Sequence, residues 1–102
     1  MKHVCTLGDF TELIKQSDIV VVDFTATWCG PCKRIAPTFD KLADEHPNMT
    51  FAKVDVDEAC EVAESCEITA MPTFQVYRNG ALVDSYCGGD PFHLVQLVQK
   101  YG

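Results

Sequence analysis

The amino-acid sequence predicts an α/β fold, and three observations carry that prediction. Apolar residues switch between helical and strand-like spacing from one end of the chain to the other. The segment Ile19–Thr25 is β-branched and almost continuously apolar, the character of a strand covered on both faces. Asn79-Gly80 separates two alternating segments and suits the two positive φ angles of a type I′ hairpin. With 102 residues, 47% of them hydrophobic, the chain can build one shared core but not two, so a single domain over residues 1–102 is expected.

The elements follow in order from the pattern. A short strand at residues 3–5 precedes a helix in which Phe10, Leu13 and Ile14 share one face and which ends near Gln16. Ile19–Thr25 is the next strand and runs directly into Trp28-Cys29-Gly30-Pro31-Cys32. Beyond Cys32, the residues Ile35, Phe39, Leu42 and Ala43 recur at helical spacing until Pro47 stops this longest helix after His46. Pro37 lies inside it and is expected to kink the axis rather than end it, because the apolar period continues beyond. Residues 50–56 read as a strand, and 58–66 as a short acidic helix whose carboxylates form a solvated face. Thr73–Arg78 and residues 81–86 are the antiparallel arms of the hairpin. Asp90 as N-cap and Pro91 in the first turn open a closing helix buried through Leu94, Val95, Val98 and Tyr101. The predicted order is βαβαβαββα.

Charge and cysteine content narrow the function. A net charge of −7 without any Lys/Arg cluster repels phosphate backbones and anionic lipid, so nucleic acid and membrane partners are excluded. No apolar run approaches the roughly 20 residues of a membrane span, and nothing near Met1 resembles a secretory signal, so a cytoplasmic protein is expected. Six cysteines in a short chain would suit a disulfide-stapled secreted domain. The spacings of Cys5, Cys60, Cys66 and Cys87 form no such framework, and the apolar segments are long enough to hold a core without staples.

The chemical signal is Cys29-Gly30-Pro31-Cys32, placed between a buried strand and the start of a helix. With Cys29 as N-cap, Cys32 is the third helical residue, and its backbone N–H can reach back to the Cys29 sulfur. That contact and the positive end of the helix dipole favour thiolate over thiol at Cys29, which is expected to be exposed at the helix start beside Trp28, where a disulfide can approach and be attacked, with Cys32 one turn deeper. Pro31 sacrifices only an orphan N–H of the first turn while stiffening the loop. The two cysteines, one turn apart, can close a disulfide, so Cys29 would attack a target disulfide and Cys32 would resolve the mixed disulfide. Asp23 stands inside the apolar strand. There an ionisable group costs several kcal/mol unless it is paired, protonated or wetted, so its pKa is expected to rise.

Taken together these residues resemble the thioredoxin family, whose hallmark Trp-Cys-Gly-Pro-Cys stands here as Trp28 to Cys32. The resemblance extends over Asp23-Phe24, Pro37, Lys53-Val54-Asp55-Val56-Asp57, Met71-Pro72-Thr73-Phe74, Gly80 and Gly88-Gly89, and so over essentially the whole chain. It implies the thioredoxin fold: one three-layer domain with a mixed five-stranded sheet, the second and third strands central, and helices on both faces. It further implies a peptide groove of Trp28, Met71, Pro72 and Gly88, with Pro72 cis. Asp23 would relay a proton to and from Cys32, with Lys53 on the adjacent strand tuning it. A lowered cysteine pKa and a defined redox poise are general features of this family.

The function implied is protein disulfide reduction: a dithiol electron carrier with no bound cofactor, regenerated by an NADPH-dependent thioredoxin reductase. Its clients would be disulfide-containing proteins such as peroxiredoxins, and it would serve cell redox homeostasis as a monomer. Two other classes fit the same residues, a redox-dependent binding module with little turnover and an oxidase or isomerase of secretory compartments. Gly30-Pro31 points to reduction. Zinc is disfavoured because there is no second Cys-x-x-Cys and His3, His46 and His93 are scattered. Cys60 and Cys66 lie about 120° apart on a helix, so they should not pair. Burial as small apolar residues is the expectation for both, as for Cys5, and redox regulation follows only if they are exposed. Cys87, next to Gly88 on the rim of the groove, is a candidate for regulatory oxidation.

Overall fold

The computed structural model describes residues 1–16 and 18–102. Its elements are β1 (Lys2–His3), α1 (Leu7–Leu13), β2 (Ile19–Thr25), α2 (Gly30–Glu45), β3 (Thr50–Asp55), α3 (Cys60–Ser65), β4 (Thr73–Arg78), β5 (Ala81–Cys87) and α4 (Pro91–Tyr101). The order is the one expected, with shorter β1, α1, β3 and α3 and a β5 that reaches one residue further. The sheet order is β1-β3-β2-β4-β5, so β2 alone is central, flanked by β3 in parallel and β4 antiparallel. This refines the expected pairing of second and third strands at the centre.

The alternation along β2 divides the core into two layers. Ile19 and Val21 face α2 and α4, packing with Ile35, Phe39, Phe51, Phe74 and Leu94. Val20, Val22 and Phe24 face the α1 and α3 side with Phe10, Val54 and Val62. The Phe39 ring meets Phe51 edge-on at 5.4 Å and lies 5.8 Å from Phe74, which locks α2 to the sheet. Asp23 is next in the odd-numbered series, so the same alternation points its carboxylate toward α2.

Local signals read from sequence recur in the backbone. Asn79 and Gly80 have φ of 53° and 86°, the positive pair a type I′ turn requires. Asp90 caps α4 by accepting from the Phe92 N–H at 2.9 Å, and α2 runs unbroken past Pro37. Thr6, not singled out from sequence, caps α1 by accepting from the Asp9 N–H at 3.1 Å.

Two cysteines depart from expectation. Cys5 is exposed rather than core, because Val4 takes the inward position and the next residue of an extended segment points outward. Cys60 is also exposed, since the buried stripe of the third helix runs Ala59, Val62, Ala63 and Cys66, and Cys60 falls off it. Cys66 lies on that stripe and is half-buried; it and Cys60 are unbridged, as their angular separation required.

Candidate functional site

The chain leaves β2 at Thr25 and enters α2 at Gly30, so the Trp28–Cys32 loop sits at the carboxyl end of the central strand. Cys29 is the N-cap, and the Cys32 N–H donates to its Sγ at 3.2 Å. The two cysteines are joined as a disulfide with Cα atoms 5.3 Å apart. The pair is less open than expected. Cys29 is only 5% exposed and Cys32 2%, because the bridged sulfurs turn inward among Ala26, Val56 and Met71. The exposed surface at this point is Trp28, at 66%.

Trp28 is held from one side. Its indole N–H donates to Asp57 Oδ2 at 2.8 Å. Asp57 is itself placed by Asp55, whose carboxylate accepts the Asp57 N–H at 2.9 Å. The bond joins residues on different elements, so the sequence carries no local signal of this contact for Asp57.

On the other side lie Met71, Pro72 and Gly88. The Met71–Pro72 bond is cis. The Gly88 N–H donates to the Pro72 carbonyl at 3.0 Å, and Gly89 packs against Pro31, so the turn after β5 borders the disulfide. Cys87 ends β5 opposite Thr73 and is exposed. Gly88 has φ +154°, and a Cβ there would stand 2.6 Å from Tyr86 Oη, the atom that accepts the Asp90 N–H. Gly88→Ala is therefore expected to cost about 1–3 kcal/mol of stability, read as a lowered thermal midpoint.

Asp23, on β2 ahead of the loop, is 2% exposed, and its Oδ1 has no hydrogen-bond partner among the described residues. Burial pushes its pKa from 3.8 up to about 7, opposed by the Lys53 ammonium and reinforced by the Asp40 carboxylate. Lys53 stands opposite Asp23 in the β2–β3 register. Its ammonium binds Asp40 Oδ1 at 3.0 Å, so a residue of α2 shares the cation that would otherwise serve Asp23 alone. Asp40 was not legible as a site residue. Its side chain is about half exposed on α2, so in sequence it reads as an ordinary solvated helix carboxylate.

The comparisons agree with this geometry. The family model described as Thioredoxin matches residues 2–100. The chain is 48% identical over 101 residues to Thioredoxin 1 of Plasmodium falciparum, covering 99% of this chain and 97% of that protein. It is 43% identical to the thioredoxin of Gallus gallus, covering 98% and 97%. Among solved structures, Plasmodium falciparum thioredoxin superposes with TM-score 0.97 at 48% identity over the whole of both chains. Another, at TM-score 0.93 and 41% identity over 98% of this chain and 94% of the other, comes from work on the thiol resolving mechanism in yeast mitochondrial 1-Cys peroxiredoxin via glutathione/thioredoxin systems.

Proposed function

Because this chain belongs to the thioredoxin family and is a protein disulfide reductase, a thiol–disulfide oxidoreductase, we propose that it works through two cysteines of unequal role, Cys29 attacking and Cys32 resolving. The observation that carries this reading is the Cys32 N–H donated to Cys29 Sγ at the head of a sixteen-residue helix. That donor and the helix dipole favour a thiolate at Cys29 once the bridge is reduced. Among the described residues Cys32 has no such donor and it is the less exposed of the two, so it acts after the mixed disulfide forms.

Electrons flow from dithiol to client. The Cys29 thiolate attacks a client disulfide, one client sulfur leaves as thiol, and Cys32 then displaces the second, closing Cys29–Cys32. Asp23 takes the Cys32 proton as that thiol becomes a nucleophile and returns it on re-reduction, a task suited to a carboxyl poised near neutrality. Lys53 tunes Asp23, and Asp40 tunes Lys53. Asp40→Asn frees the Lys53 ammonium and removes a like charge, so the pH midpoint assigned to Asp23 is expected to move down in a pH–rate profile.

Trp28, Met71, Pro72 and Gly88 form the client groove, with Gly30 and Pro31 shaping the loop between the sulfurs. The Met71 backbone beside the cis bond offers strand-like pairing to an extended client segment. Electrons would be returned by an NADPH-dependent thioredoxin reductase, and no cofactor is bound by the chain itself. Peroxiredoxins are proposed among the clients, in keeping with the setting of the 41%-identical structure. A cytoplasmic location is proposed from the sequence, although one relative is a mitochondrial thioredoxin of Saccharomyces cerevisiae.

The test is insulin reduction with dithiothreitol as electron source, followed by the turbidity of the released chains. Acceleration well above dithiothreitol alone is expected. None would support a binding module instead.

A further inference from the structure

Outside the groove, two of the remaining thiols do not stand alone. β1 and β3 run parallel, with His3 opposite Lys53 and the Val4 N–H donating to the Lys53 carbonyl at 3.1 Å. Their carboxyl ends therefore lie side by side. The chain leaving β1 passes through Cys5, and the chain leaving β3 turns into α3 at Cys60. Both cysteines are free and exposed, and both line one open pocket of about 250 Å³ together with Thr6, Glu58 and Glu61. Cys5 Sγ lies 3.9 Å from Glu58 Oε2, against the segment that leads into α3.

We propose that Cys5 and Cys60 form a second dithiol, a modification site separate from Cys29–Cys32, which a hydroperoxide closes into an intrachain disulfide. One thiol is oxidised by the hydroperoxide to a sulfenic acid, with release of the alcohol, or of water from hydrogen peroxide. The second thiol attacks that sulfur and expels water. Two thiols thus lose two electrons and two protons to one hydroperoxide.

Three features favour this outcome. The oxidant is neutral and small, whereas the carboxylates of Glu58 and Glu61 and a net charge of −7 repel an anionic disulfide such as oxidised glutathione. The two segments yield at little cost: β1 is a two-residue edge strand, and the N-cap of α3, Ala59, makes no side-chain cap bond. The other thiols are placed differently, with Cys66 Sγ 3.7 Å from Tyr77 Oη and its pKa raised by burial, and Cys87 across the sheet on β5. The bridge would end three residues from Asp57, which holds the Trp28 indole, so it reaches the segment that supports the groove.

The test uses the full chain carrying Cys29→Ser and Cys32→Ser, which removes the first dithiol and makes the outcome independent of reductase activity. It is treated with hydrogen peroxide in the presence of dimedone, which traps sulfenic acids, and its peptides are mapped by mass spectrometry. The expected result is a Cys5–Cys60 cross-linked peptide with little dimedone on either residue. Adding Cys60→Ser should raise dimedone labelling of Cys5 several-fold, and adding Cys5→Ser should do the same for Cys60. Labelling that ignores the partner, covalent dimers through either cysteine, or no loss of these two thiols ahead of Cys66 would each overturn the proposal.

Discussion

Cys29→Ser is expected to reduce insulin turnover to the background of dithiothreitol alone, whereas Cys32→Ser is expected to stall the enzyme with clients attached. The asymmetry follows from the cap. A serine at residue 29 keeps the helix start, since its hydroxyl can accept the N–H of residue 32, but it is not a nucleophile toward a disulfide at neutral pH. The fold should survive and the chemistry should not. In Cys32→Ser the Cys29 sulfur retains its backbone donor and its position at the helix head, so attack persists. What is lost is the intramolecular thiol that would displace the client. Non-reducing gels should show client-linked adducts that dithiothreitol releases. Equal loss of adducts in the two variants would contradict the assignment of roles.

Asp23→Asn should stabilise the chain relative to wild type at alkaline pH, and that gain should disappear as the pH is lowered into the acid range. In the folded chain Asp23 keeps its proton up to about pH 7, whereas unfolded it releases it near 3.8. Between those values the folded state binds the extra proton, so raising the pH favours unfolding. At 1.36 kcal/mol for each pH unit, the interval amounts to about 4 kcal/mol lost by wild type and not by the uncharged variant. Denaturant melts at pH 8 should therefore find Asp23→Asn more stable by up to about 4 kcal/mol, and melts near pH 4 should find the gain gone. The same variant should slow the resolving step, by up to about 10²-fold for loss of a positioned acid–base group, and remove a titration near pH 7 from the rate profile. A stabilised variant with an unchanged profile would separate burial from proton relay and sink the relay. The trade is one of stability for reactivity, since the burial that destabilises the folded chain above neutrality is also what keeps the carboxyl able to accept a proton there.

Features encoded within a few residues were legible in advance. The Asn79-Gly80 turn, the Asp90 cap with Pro91, the length of β2 and the Cys29 cap over Cys32 each depend on neighbours one to four positions away, so residue type and spacing suffice. Legibility failed where an outcome depended on which side of an element faces the sheet. Cys5 and Cys60 count as apolar in any composition, and only the placement of Val4 and of the Ala59–Val62–Ala63–Cys66 stripe turned them outward. Cys29 was expected at the surface, but the closed bridge packs beneath Val56 and Met71, which come from distant stretches of chain.

By itself, then, the sequence determined the element order, the reactive pair and an aspartate too apolar in its surroundings to be ordinary. The tertiary structure alone decided how that aspartate is tuned and how the tryptophan is held. Asp40 reaches Lys53 from α2, and Asp57 reaches Trp28 from beyond β3, across 13 and 29 residues of chain respectively. Capping and turn energies arise between near neighbours and are written in order along the chain. The potential at a buried carboxyl is a sum over whatever charges and water-excluding surface the fold brings within a few ångströms, and that sum has no local signature.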